Sequence, residues 1–169
     1  MYSSANYVIF VNFEDFGNKI CEEILLSGKQ KLSFFSGYDC DSLALEGITG
    51  FVDFILPLFK NHPNALLELR TKSIQINPLM STEPIANCVV AYSLLPCSIA
   101  QSLDTKTPSV KNRINTMSQL AARGWKIGLR LDPLIHDKNW EYKGEIIDSK
   151  PNGNGVLISP FEKYSGVFK

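Results

Sequence analysis

Short apolar runs alternate along this chain with stretches of helical period. "YVIFVNF" (7–13), "LSFFSGY" (32–38), the start of "ALLELRTKSIQINPLM" (65–80), "CVVAYSLL" (88–95) and "WKIGLRLDPLI" (125–135) read as strands. Between the first two, Asn12, Glu14 and Asp15 introduce a helix that carries Phe16, Ile20 and Ile24 at spacing four. Ile48, Phe51, Ile55 and Leu58 give residues 47–60 a second amphipathic helix, which leads to the turn "NHPN". The clearest helix comes before the last strand. Thr107 reads as its N-cap, Pro108 lies in its first turn, Val110, Ile114, Met117 and Leu120 share a face, and Gly124 stops it. Apolar strands alternating with helices predict parallel strands with covered faces, joined by right-handed crossovers. The fold class is α/β, with about five strands and covering helices, as an open sheet or a partial parallel β/α barrel.

Composition narrows the picture. A chain of 169 residues with 44% hydrophobic content buries a core as one domain. Seventeen basic and seventeen acidic residues cancel, which excludes a strong overall field directed at nucleic acid or membrane. Cys21, Cys40, Cys88 and Cys97 are separated by 19, 48 and 9 positions, a pattern that fits reduced thiols in a cytoplasmic protein better than a disulfide framework or zinc site. "MYSSANYVIFVNFEDF" lacks a basic n-region and its apolar run is broken by Asn12 and Glu14, so it reads as neither signal peptide nor membrane span. After Asp148, "SKPNGNGVLISPFEKYSGVFK" gathers Pro, Gly and Asn and loses helical period. Residues 1–148 are therefore expected to form the β/α domain and 149–169 an appended or diverged tail, in which "GVLISPF" pairs as an edge strand.

Parallel α/β folds bind ligands at the carboxyl ends of their strands. Here those ends read "SGYDCDS", "RTKS", "YSLLP" and "RLDPLIHD", all polar or glycine-containing. They suit a small-molecule site, or merely mark where the chain meets water. Arg113, Arg123 and Lys126 read as scattered, solvated cations rather than a phosphate track.

"SGYDCDSLALEGITG", "PNALLELRTKS", "VVAYSLLP", "TPSVKNRI", "ARGWKIGLRLDPLI" and "NWE" together resemble, in order and approximate spacing, spore photoproduct lyase and its radical S-adenosylmethionine relatives. The resemblance covers roughly residues 5–148. It implies an incomplete parallel β/α barrel in which a CxxxCxxC loop holds a 4Fe–4S cluster and S-adenosylmethionine binds the open iron. Reductive cleavage then yields a 5′-deoxyadenosyl radical that acts on a thymine dimer, so DNA carrying thymine dimers and a reductant protein are the implied partners. Lys72 matches a lysine that contacts the methionine portion of the cofactor, and Ser93 a serine that hydrogen-bonds it. Asp41 falls on a family aspartate, and Ser36 with Gly37 lies where the cofactor's amino group is held. Cys40 aligns with a neighbouring cofactor contact and Tyr38 with the cysteine that returns hydrogen to the product radical, so both are candidate catalytic residues. The structural alternatives are a snorkelling Lys72, a strand-end hydroxyl at Ser93, a plain turn at Gly37 and a buried thiol at Cys40.

Besides Tyr38 in place of the hydrogen-returning cysteine, one further departure shapes the expectation. The family's cluster cysteines would lie just before "YSSANYVIFVN", and the sequence contains no CxxxCxxC. Cys21 and Cys88 read as packing residues, and no metal-binding residue is assigned. The reading is thus a middle portion of such an enzyme, a fragment without cluster ligands and inactive alone, expected to self-associate through its open edges. The alternatives are a non-catalytic binding subunit and an unrelated α/β enzyme that takes a small anionic metabolite at the same strand ends.

Overall fold

The computed structural model describes residues 9–37, 40–131, 141–147, 150–158 and 163–168. The chain divides into two compact units, one of Met1–Leu94 with Lys106–Arg130, the other of Leu95–Thr105 with Leu131–Lys169.

The first unit opens with helix α1 (Phe13–Ser27) and strand β1 (Leu32–Ser36), followed by α2 (Glu46–Thr49), α3 (Phe51–Lys60), β2 (Ala65–Thr71), α4 (Asn77–Ser81) and β3 (Cys88–Leu94). After α5 (Cys97–Leu103) of the second unit come α6 (Val110–Arg123) and β4 (Lys126–Leu131). The sheet order is β1-β2-β3-β4. β1 and β2 pair in parallel from Leu32↔Ala65 to Ser36↔Leu69, and β2 and β3 from Leu67↔Cys88 to Thr71↔Tyr92.

Side chains alternate across a strand, so Ala65, Leu67, Leu69 and Thr71 share one face of β2 and Glu68 and Arg70 the other. The first face, with Cys88, Val90 and Tyr92, belongs to the core. Val52, Ile55, Leu56 and Phe59, at helical spacing on α3, fill that core with Leu79 of α4 and Leu120 of α6. Each such side chain contributes about 1.5–3 kcal/mol on burial, which outweighs the modest differences in local propensity. The Trp125 indole N–H donates to Leu79 O at 2.9 Å, which fixes the start of β4.

The fold is the expected α/β arrangement, but its elements differ from the sequence reading in several places. The run at 7–13 is not a strand: residues 9–12 are coil, Val11 is 85% exposed, and Tyr7 and Val8 lie outside the described residues. Asp15 N–H donates to Asn12 O at 3.1 Å and Asn12 Nδ2 to Asp15 Oδ2 at 2.9 Å, so this segment is drawn into the helix entry. The parallel sheet therefore has four strands among the described residues.

α1 buries Gly17 and Ile24 and leaves Phe16 largely exposed. A Cβ at Gly17 would stand 2.9 Å from the Phe54 ring, so the absent side chain is what lets α1 approach α3. The predicted helix over 47–60 is two helices, because Gly50 turns left-handed (φ 57°) and Glu46 Oε1 accepts from Val52 N–H at 3.0 Å. Ser109, not Thr107, caps α6: its hydroxyl accepts from Asn112 N–H at 3.2 Å, while Gly124 ends the helix in the left-handed region as expected.

In the second unit, β5 (Glu141–Ile147), β6 (Lys150–Ile158) and β7 (Lys163–Phe168) form an antiparallel sheet in the order β5-β6-β7. Residues 155–158 thus belong to a central strand rather than an edge, and 159–161 lie outside the described residues. Pairing on both sides supplies the backbone hydrogen bonds that the Pro, Gly and Asn composition hides from a periodicity argument. No helix among the described residues is long and apolar enough to cross a membrane.

Candidate cofactor site at the strand ends

Because β1, β2 and β3 run parallel, Ser36, Lys72 and Ser93 come to the same end of the sheet. Gly37 follows β1 with φ 84°. A Cβ there would meet Arg70 O at 2.7 Å and Ser42 Oγ at 2.8 Å, so only glycine lets the loop pass this close to β2. The loop is then tied down by Ser42 N–H, which donates to Arg70 O at 2.9 Å.

Asp41 is the centre of these ties. Its Oδ1 accepts from Leu43 N–H and Ala44 N–H, both at 2.9 Å, and from Thr71 Oγ1 at 2.7 Å. Its Oδ2 accepts from Lys72 N–H at 2.6 Å. Thr71 Oγ1 in turn accepts from Ser73 N–H (2.8 Å), Ser73 Oγ from Gln75 N–H (3.0 Å), and Gln75 Nε2 donates to Ala44 O (3.1 Å). These bonds close a ring between the loop after β1 and the chain leaving β2. Thr71, the hydroxyl between two cations in "RTK", is buried in this ring.

Ser93 is held from the other side. Arg113, only 1% exposed on α6, donates through Nη1 to Ser93 O at 2.9 Å and through Nε to Pro108 O at 2.8 Å, and its Nη2 bonds Thr107 Oγ1. The reading of Arg113 as a solvated cation is therefore wrong: it lies on the buried side of α6 with Val110, Thr116 and Leu120, and its planar fork serves carbonyls that would otherwise lack donors. Arg123 bonds Glu83 at 2.7 Å and Lys126 bonds Ala86 O, so these cations also serve the protein's own structure.

On the sheet's second face, Glu68 lies between two guanidiniums. Arg70 Nε donates to its Oε1 at 2.7 Å and Arg130 Nε to the same atom at 2.8 Å, with Arg130 Nη2 on Oε2. Burial pushes the Glu68 carboxyl up, but the bonds from Arg130 and Arg70 prevail and hold it below the usual range. Arg70 also stacks on the Phe35 ring, 4.5 Å from its centroid. These contacts give Arg70 a structural role on that face. The strongest signal for it was a charged pair facing one way at spacing two on a strand.

Cys40 is exposed, which overturns its reading as a buried thiol, since it precedes the ring rather than entering it. Cys88 is buried and its thiol is pushed up to about 12 by loss of water. The Tyr92 phenol, beside Thr71 in the register, is buried without a hydrogen-bond partner. It is pushed above its ordinary range by burial and then by the Asp41 charge. Tyr38 lies outside the described residues. Ser36, Gly37, Asp41, Lys72 and Ser93 are thus gathered at neighbouring strand ends. Among the described residues, no three His, Cys, Asp or Glu side chains cluster as a metal would require.

The described residues thus form a parallel α/β unit with a braced polar edge at its strand ends. Solved structures of spore photoproduct lyase share its fold. The lyase complexed with dinucleoside spore photoproduct superposes with a TM-score of 0.72 at 15% identity, covering 77% of this chain and 38% of that one. A doubly substituted lyase with bound AdoMet and dinucleoside spore photoproduct gives 0.71 at 16%, covering 76% and 38%. The matched part therefore spans well under half of those proteins. No protein-family model and no curated protein matches the sequence.

Proposed function

We propose that this chain forms the S-adenosylmethionine-binding part of a spore-photoproduct-lyase-like radical enzyme that acts on thymine lesions in cytoplasmic DNA with an external reductant. The observation that carries the reading is the braced strand edge, where Lys72 and Ser93 each follow the Thr71↔Tyr92 pair and Ser36 and Gly37 end the neighbouring β1. An ammonium at that place suits a carboxylate, with partial desolvation strengthening the contact. The resemblance places the methionyl amino group at Ser36 and Gly37, and the Ser93 hydroxyl adds a further hydrogen bond. In that family the cofactor supplies hydrogen-atom abstraction when joined to a 4Fe–4S cluster. The cysteines here do not fit such a cluster: Cys21 lies on α1, Cys88 is buried in β3, and the sequence contains no CxxxCxxC.

That donor set favours a second reading, a subunit that binds the cofactor or a related anion without turnover. Calorimetry with S-adenosylmethionine tests the binding common to both. Lys72→Ala is expected to lose about 1.5–3 kcal/mol, the range for a hydrogen bond to a charged group. Equal binding by both proteins would remove Lys72 from the site. Binding by neither would leave the strand ends to a small anionic metabolite.

A further inference from the structure

We infer that Asp41 is a positioning residue, whose carboxylate locks the loop after β1 onto the end of β2 and so sets where Lys72 is presented. For its consequence on ligand affinity this rests on the cofactor reading; for the backbone it does not. A carboxylate offers about four acceptor sites. Leu43 N–H, Ala44 N–H, Thr71 Oγ1 and Lys72 N–H make four bonds to it, three of them on Oδ1, so the group braces the protein's own chain.

The bracing is unequal. Among the described residues, three donors meet Oδ1, whereas only the Lys72 amide meets Oδ2, at 2.6 Å. An asparagine can keep its carbonyl oxygen on the first three, but its amide nitrogen then faces the Lys72 N–H, donor against donor. Asp41→Asn therefore singles out the link to Lys72 while sparing the turn at 41–44. Thr71 offers a second handle, since its hydroxyl donates to Asp41 and accepts from Ser73 N–H. Serine preserves both bonds and valine removes both.

The test follows amide hydrogen exchange in the full, nitrogen-15-labelled chain, together with S-adenosylmethionine affinity. In Asp41→Asn, exchange at Lys72 is expected to rise about tenfold or more relative to Leu67 and Leu69, the scale of one hydrogen bond to a charged group. Leu43 and Ala44 should change less, and cofactor affinity should fall by a similar factor. Thr71→Val should loosen Lys72 and Ser73, and Thr71→Ser should restore both, which keeps the test open if the asparagine variant does not fold. A Lys72 amide that is unchanged, or that changes only in step with Leu67 and Leu69, would overturn the inference, as would indistinguishable Thr71→Val and Thr71→Ser proteins. If Lys72 loosens as expected while the unmutated chain binds no S-adenosylmethionine, the positioning role stands and the cofactor reading falls.

Discussion

Glu68 and Glu46 are both buried carboxylates, and their surroundings move them in opposite directions. Burial raises both, but Arg130 and Arg70 outweigh it at Glu68, whereas Glu46 has one oxygen on Val52 N–H and the other buried without a partner. A carboxyl whose folded value is depressed binds fewer protons folded than unfolded, so its contribution is present above the unfolded value and lost as pH falls through the folded one. Glu68 thus stabilises the protein near neutrality and ceases to do so in acid. Glu46, raised on folding, has the reverse sign: its contribution is present below the unfolded value and lost as pH rises through the folded one. Removing one partner of a buried pair is costly, although exposure of Arg130 screens part of the effect. Glu68→Gln should accordingly lose on the order of 2 kcal/mol at pH 7 and distinctly less at pH 3, read from urea midpoints. An equal loss at both pH values would show that packing, not charge, is what the glutamate supplies.

The turn after β1 decides whether the strand edge is braced at all. At Gly37 the obstruction to a side chain is backbone and a buried hydroxyl, and φ is 84°; at Gly50 φ is 57° but nothing lies within 4 Å. The conformational cost of alanine in the left-handed region is about 1–2 kcal/mol at either position. Gly37→Ala should exceed Gly50→Ala by at least about 1 kcal/mol in chemical denaturation, because only there must neighbouring atoms also move. Equal losses would mean that the loop yields freely and the ring around Asp41 is loose. The same distinction explains what the sequence made legible. β2, β3 and α3 were readable because their apolar periods coincide with the faces they bury. The parallel alternation then located Ser36, Lys72 and Ser93 at one end. The coil at 9–12 was misread because an apolar run has the same pattern whether or not a partner strand pairs with it. Nor could local pattern show that Arg130 meets Glu68 across 62 positions, or that Arg113 reaches Ser93 across 20. Those contacts exist only once the sheet is assembled.

For the molecule as a whole, the cysteines decide whether the proposed radical chemistry can start on this chain. The likeness to the lyase lies in the sheet and its helices, while cluster chemistry depends on three thiolates within a short loop. A thiolate must form before it can bind iron, and the Cys88 thiol, held up at about 12 within the core, does not ionise near neutrality without opening the sheet. Cys21 is half-buried on α1, which leaves Cys40 and Cys97 as the exposed thiols. Two thiolates cannot fix three irons of a cubane and leave the fourth open. Anaerobic reconstitution of this chain with iron and sulfide should therefore give no stoichiometric four-iron cluster, and reduction with S-adenosylmethionine should release no 5′-deoxyadenosine. Cofactor binding measured on the same sample tests the step common to both functional readings. A chain that binds the sulfonium with loss on Lys72→Ala, yet assembles no cluster, behaves as a cofactor-holding unit whose iron ligands must come from elsewhere. Joining a CxxxCxxC segment ahead of residue 1 should then confer both the cluster and cofactor cleavage, with DNA carrying thymine dimers as the first substrate to try. A stable four-iron cluster on the unextended chain would overturn the argument from donor chemistry, and Cys40→Ala would show whether that exposed thiol was one of its ligands.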